Sequence, residues 1–421
     1  MTAYLAFVAF VPYISSMDAN PNVESVVSDR TQRRKLLEEL QELRDGHLVV
    51  AYVTSTRPGH EIQLGDDILR FLFDHLESNK ERAKKGIDLF LHSHGGSGTA
   101  PWRIVSLIRE YTKKFAVLVP HRAFSAGTLL AMGANQIVMH RMGCLGPIDP
   151  SVTNIFNPPH PASPGQLAPI NVEDVSAYMT LVKEEVGITH EDELVQAFLA
   201  LTEQIHPLAL GNVQRSHRQA RMMARKLLET HMSAKDQQHE IDDIIDKLKS
   251  KLFYHGHPIN RLEAKKDLGL KVVFAPEALE QVMWKLYLEY ERALSIKESF
   301  NPVHELEIRG KGTPQPALTT EVILQQMAQM AKLGLGLGTP NITEEQLVRL
   351  AAAMVRCIGD GGEAAKKAAI DDIPGAFLES DRLSHVLKTN VTIERATITT
   401  KSGPQDAVKQ EIRWQRWEEE P

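Results

Sequence analysis

Ser125 stands where an apolar run, Phe115 to Val119, has given way to a small-residue stretch, Phe124-Ser125-Ala126-Gly127. Upstream, a second run, Ile87 to His92, ends in the tight sequence His94-Gly95-Gly96. Nucleophilic serine chemistry needs both parts. The hydroxyl must be presented sharply at a strand-to-helix turn, and backbone N–H groups must converge on the oxyanion. Gly95 or Gly96 would supply one N–H and Ala126 the other. Glycine permits a backbone approach that a side chain would block, and a helix beginning at Ala126 would add its positive end. On local pattern alone, the same serine also reads as a helix N-cap and each glycine as a turn former.

Three histidines, His92, His94 and His121, crowd this region in sequence. No HExxH or Cys/His ligand spacing accompanies them, so they read as groove lining or packing, with no metal expected. No Walker loop and no GxGxxG fingerprint occurs. Gly334 to Gly338 alternates glycine and leucine but lacks a preceding strand, so no nucleotide or dinucleotide cofactor is expected.

The elements that must position these residues alternate. Asp29 to Asp45 is helical in pattern, with Leu36, Leu37, Leu40 and Leu43 on one face. His47 to Thr54 reads as a strand, Ile62 to Leu76 as a helix and Ile87 to His92 as a strand. A helix carrying Trp102, Ile104, Val105 and Ile108 precedes Phe115 to Val119, and the alternation runs to about Val138. Such alternation predicts a mostly parallel sheet with crossover helices. Pro147 to Ile170 is Pro-rich and reads as a loop. Helices are expected over Glu173 to Glu185, Glu191 to Gln204, Leu208 to His231 and Glu240 to Leu252. A turn at His257, a helix from Arg261 to Leu268, a short strand from Gly269 to Val273 and a helix from Glu277 to Leu294 follow. Arg215, Arg218, Arg221 and Arg225 make a basic stripe, read as a solvated or interface face.

At 421 residues the chain is too long for one small domain. Residues 1–28 read as an apolar N-terminal arm, 29–300 as the main domain, 301–320 as a linker, and 321–421 as a helical segment with a terminal β-hairpin. The hairpin pairs Val391 to Thr399 with Ala407 to Trp417. The net charge of −6 supplies no basic field for nucleic acid. Two cysteines exclude a disulfide scaffold and fit a reducing compartment, so a cytoplasmic location is expected. Ala3 to Ile14 is apolar but too short to span a bilayer; it reads as a buried strand or docked arm, with a peripheral membrane anchor as the alternative.

Three blocks in order carry a family resemblance: HSHGGSGTA, HRAFSAGTLLAMGANQIVMHRMGCLGPIDP and HGHPINRLEAKKDLGLKVV. The chain resembles the Clp-protease/crotonase-like superfamily, and within it the signal-peptide-peptidase-A-like branch called the serine dehydrogenase proteinase family. The resemblance spans roughly Asp29 to Leu294. It implies an α/β fold, a Clp-protease/crotonase-like core built as a repeated ββα superhelix, here with a smaller C-terminal α+β appendage. It implies Ser125 as nucleophile and a homo-oligomer acting on peptides or unfolded proteins.

The base differs between branches. The signal-peptide-peptidase-A branch uses a downstream lysine, which points to Lys183, with Leu181, Val182 and Val186 as neighbours that could dehydrate it. An ordinary solvated helix face explains Lys183 equally well. The Clp branch uses a histidine, and Ile148 stands near where that residue is expected, so a Clp-type triad is in doubt. His140 and His217 are further base candidates, and Asp149 reads as a turn residue between Pro147 and Pro150. The expectation is a serine endopeptidase working through a Ser125 acyl-enzyme. A catalytically idle peptide-binding scaffold and a crotonase-like acyl-thioester enzyme are the alternatives.

Overall fold

The computed structural model describes residues 9–12, 29–148, 151–160, 167–250, 257–301, 305, 367–400 and 403–420. The chain divides into two compact units. The larger comprises Val26–Glu298, Gly375–Val386 and Glu419–Pro421, and the other takes Met1–Ser25, Ser299–Pro374 and Leu387–Glu418.

The larger unit is α/β. Strands Leu48–Thr54, Ile87–His92, Phe115–Val119, Gln136–Met139 and Val272–Phe274 lie side by side in that order, all parallel. Every residue of the first three is buried. Parallel strands covered on both faces read as continuous apolar runs, which is why these were legible. On one face Leu36, Leu37 and Leu40 of helix Arg30–Leu43 pack with Leu279, Val282, Met283 and Leu286 of helix Glu277–Ala293, over Val49, Ala51, Val53 and Phe90. Helices Leu69–Ser78, Ala100–Tyr111 and Ala126–Met132 belong to a second layer, packed on one another and on the long helix Pro207–Glu229.

Two features depart from the sequence reading. The helix expected from Ile62 begins only at Leu69, because Leu64 is spent elsewhere: its N–H donates to Gly95 O at 2.7 Å and its O accepts from Ser97 N at 2.9 Å. The second departure is beside strand Leu48–Thr54. Gly375–Val386 returns to this unit, where Ala376 to Glu379 pair antiparallel with Thr54 to Ala51. A division at residue 300 does not anticipate this.

That returning segment is locked by a buried ion pair. Arg33 Nε donates to Glu379 Oε2 at 2.8 Å with each side chain 1% exposed, and Tyr290 Oη donates to the same oxygen at 2.7 Å. Arg33 also pairs with Glu420, whose carboxylate accepts from Ser384 Oγ at 2.8 Å. Removing one partner strands a buried charge, which costs about 3–5 kcal/mol. Arg33→Ala should therefore lower the denaturant midpoint by an amount worth about 3 kcal/mol. The Arg33→Met/Glu379→Leu pair should lose far less than the two single variants together.

A second buried pair sets pH dependence. His75 Nε2 and His385 Nδ1 lie 3.1 Å apart, and His75 Nδ1 meets Ser380 Oγ at 2.8 Å. Burial, then repulsion from His385, pushes the His75 pKa down to about 3. The unfolded chain would protonate this histidine near its ordinary value of about 6.5. The neutral pair's contribution is therefore complete above about pH 6.5 and is lost as pH falls toward 3, at about 1.4 kcal/mol per pH unit for this one group. Urea unfolding at pH 7.5, 6 and 5 should show that loss, and His75→Gln should flatten it. An unchanged slope in the variant would contradict this assignment.

In the other unit, Ala9–Pro12 pairs antiparallel with residues 407–410, next to the long neighbouring strands Ser384–Thr400 and Gly403–Glu419. The latter two are hydrogen-bonded neighbours. Phe300, Ile370, Ile373 and Val391 make this unit's small core. Of the expected linker 301–320 only Asn301 and Glu305 are among the described residues, and the helices expected from Glu321 to Ile358 lie outside them. Among the described residues no helix is long and apolar enough to cross a membrane.

Candidate active site

Ser125 immediately precedes helix Ala126–Met132 with φ 50° and ψ −111°. This is a left-handed conformation that an L residue other than glycine adopts at a cost of about 1–3 kcal/mol. Its side chain makes no capping hydrogen bond to the helix it opens. The N-cap reading of this serine therefore fails, since a cap hydroxyl would accept from the first helical N–H groups. What remains is a strained turn that holds the hydroxyl out, with the Ala126 N–H among those lacking an intrahelical acceptor.

The glycine turn lies against this serine. A Cβ placed on Gly95 would come within 2.7 Å of Ser125 Cβ and 2.8 Å of Phe124 O, and Gly95 holds φ +103°. A Cβ on Gly96 would strike the Leu64 backbone, whose N it would meet at 2.5 Å. The two glycines differ in one respect. Gly95 N–H donates to Ser93 Oγ at 3.0 Å, so its donor is engaged.

Ser93 is the bracket between the two loops. Its hydroxyl also accepts from Thr54 Oγ1 at 2.9 Å, its N–H donates to Arg122 O at 2.9 Å, and its O accepts from Phe124 N at 3.0 Å. Thr128 does the same on the helix side. Its buried hydroxyl lies 2.8 Å from both Ala123 O and Gly146 O and accepts from Gly146 N at 3.0 Å. Arg122–Ala123 pairs parallel with Cys144–Leu145, which pairs antiparallel with Ile259–Asn260. All three sequence blocks therefore meet here. Ser93 and Thr128 were missed in the sequence because a lone hydroxyl gives no signal of its own.

The histidines pack as an aromatic stack behind the turn. His92 lies parallel to His121 with centroids 5.6 Å apart, and Tyr287 stands edge-on to both. His92 Nδ1 accepts from Arg122 N at 3.3 Å, which leaves Nε2 to donate to Thr56 Oγ1 at 3.3 Å. Burial holds His92 far below its ordinary pKa, and burial with the nearby Arg122 charge holds His121 at about 4. His121 Nδ1 meets Tyr287 Oη at 2.8 Å. Among the described residues no group of three or more His, Cys, Asp or Glu is arranged to hold a metal ion.

The base candidates are scattered. Lys183 sits in a π-helical turn, Leu181–Glu185, with its side chain exposed. The expected dehydration is not provided there. Val182 is buried, but Leu181 and Val186 are 51% and 63% exposed. His140 is stacked on Trp284 at 5.1 Å, and its Nδ1 accepts from Met142 N at 3.0 Å. Burial lowers its pKa. His217 is half-buried on helix Pro207–Glu229. Ile148 is buried, and Asp149 lies outside the described residues.

Ser125 thus opens a helix in a strained conformation, with Gly95 packed against its Cβ. Residues 21–198 match the family model of the ClpP-like SDH-type serine proteinases. The matched region includes Ser125, Gly95, Gly96, Ala126 and Lys183. The chain is also 38% identical over 66 residues to the uncharacterized protein MJ1495 of Methanocaldococcus jannaschii. It is 40% identical over 68 residues to the uncharacterized protein MJ0137 of the same organism. Each match covers 16% of this chain and only 23% and 24% of those relatives.

Proposed function

We propose that this protein is a serine endopeptidase that cleaves peptides or unfolded proteins through a Ser125 acyl-enzyme. The observation that carries this reading is the backbone strain at Ser125 pressed against Gly95. A scaffold with no chemistry to perform gains nothing from holding a serine in that conformation. Ser125 Oγ attacks the scissile carbonyl, and the N–H groups of Gly96 and Ala126 receive the oxyanion. The leaving amine departs with a proton, and water then hydrolyses the ester. The ClpP/crotonase-like ββα superhelix is the architecture this reading assigns to the core.

Lys183 is the proposed base. To carry a lone pair near neutral pH it must be withdrawn from water. Its exposed position requires a covering surface, which a homo-oligomer would provide. Lys183→Ala should lower kcat about 10²–10⁴-fold, with little change in unfolding midpoint because the side chain is exposed. A loss below threefold would remove Lys183 from the mechanism and direct attention to His140. The overall reading is tested by acid-quenching the enzyme during turnover of an unfolded protein and mapping the trapped acyl group by mass. An ester on Ser125 is expected; turnover with the acyl group on another residue would refute it.

A further inference from the structure

We propose that Arg122, seated on His94 and Phe124 at the rim of the Ser125 site, is a carboxylate-binding subsite that selects substrates with an anionic group beside the scissile bond. This rests on the serine-peptidase reading of Ser125.

Arg122 is fixed at both backbone and side chain. Its N–H donates to His92 Nδ1 at 3.3 Å, its O accepts from Ser93 N at 2.9 Å, and it pairs with Cys144 in a parallel ladder. Its Nη1 donates to His94 Nε2 at 3.1 Å, and its guanidinium carbon lies 5.9 Å from the Phe124 ring centroid. The His94 and Phe124 rings are themselves stacked, 5.8 Å apart at 12°. His94 directly precedes Gly95, and Phe124 directly precedes Ser125. The guanidinium is therefore held by the two residues that adjoin the glycine turn and the nucleophile.

What it lacks is a carboxylate. Arg33 has Glu379, Arg44 has Asp88, and Arg141 and Arg261 share Glu280. Arg122 forms no ion pair among the described residues, and a histidine nitrogen occupies one of its five donors. The charge is nonetheless felt locally: it depresses the pKa of His94 and His121, second to burial in each case. Glu61 also acts on His94 but is exposed and makes no ion pair with Arg122. Arg122, Phe124 and Ser125 are all only half-buried, so a ligand can reach them. A pre-positioned guanidinium with its fork open is suited to bidentate carboxylate recognition. The carboxylate could come from an Asp or Glu side chain or from the peptide's C-terminus.

The test compares quenched-fluorescent peptides that differ at one position near the cleavage site, Glu against Gln and Asp against Asn, each as the C-terminal acid and the amide. Fluorophosphonate labelling at Ser125 fixes the active-enzyme concentration. The expected acid-to-neutral ratio of kcat/KM is about 10–100 in the wild type, near one in Arg122→Gln, and inverted in Arg122→Glu. Arg122→Lys should keep part of it. A preference confined to the side-chain pairs or to the free C-terminus identifies the source. A labelled wild type with a ratio near one overturns the subsite alone, as does a ratio preserved in Arg122→Gln. A wild type that hydrolyses peptide but is not labelled at Ser125 overturns the serine reading, and this inference with it.

Discussion

Ser125→Ala is expected to lower kcat for peptide hydrolysis by about 10⁴-fold or more, the scale seen when a serine nucleophile is removed and only oxyanion donors and binding remain. The fold should survive, since the substitution deletes one half-exposed hydroxyl with no capping bond. Ser125→Gly gives a sharper comparison. Both variants lack the nucleophile, so both should be inactive. Only glycine relieves the φ 50° conformation, since alanine keeps the Cβ. That relief, about 1–3 kcal/mol, outweighs the added flexibility of an unfolded glycine, about 0.4–1 kcal/mol. Ser125→Gly should therefore unfold at a higher denaturant concentration than Ser125→Ala. Equal midpoints would mean that no strain is stored at this turn.

Gly95→Ala is expected to be nearly as damaging, without touching any reacting atom. The new methyl group would lie 2.7 Å from Ser125 Cβ and 2.8 Å from Phe124 O, inside any permitted contact. Neither neighbour can yield. Phe124 N is bonded to Ser93 O, and Ser125 O accepts from Leu129 N at 3.1 Å. The φ of +103° is also forbidding for alanine. The loop must shift, and with it the Gly96 N–H. A displacement near 1 Å costs about 10²-fold in rate, and loss of one oxyanion donor about 10²–10³-fold. The expected fall in kcat is about 10³-fold, with about 2 kcal/mol of lost stability. Gly98→Ala is the matched control, since a Cβ there meets nothing within 4 Å. Equal activity in the two variants would contradict the proposed packing of the glycine turn on the nucleophile.

The strands and the strand-to-helix turn at Ser125 were legible because their signals are local. Phe115 to Val119 is an unbroken apolar run and Ile87 to His92 an apolar run interrupted by Asp88 and ended by His92, and the structure gives strands with those bounds. Helix Arg30–Leu43 follows its leucine spacing and is capped by Asp29, whose carboxylate accepts from Thr31 N at 2.8 Å. What failed depends on partners far along the chain. Ile62, Leu64, Ile68, Leu72 and Leu76 are buried, but the backbone at Leu64 is claimed by Gly95 rather than by a helix. The segment Gly375–Glu379, paired beside Leu48–Thr54, is locked by a pairing between Arg33 and Glu379, which stand 346 residues apart. No window of sequence contains both. Lys183 was read through its apolar neighbours, but burial is set by tertiary packing, and two of those neighbours face solvent.

Fluorophosphonate labelling of the purified full chain, mapped by mass beside Ser125→Ala, bears most directly on whether Ser125 is an activated nucleophile. The predicted result is a single phosphonylated residue, Ser125, with no adduct in the variant. Adduct on a different serine, or a folded and peptide-cleaving wild type that takes up no label at Ser125, would contradict the account.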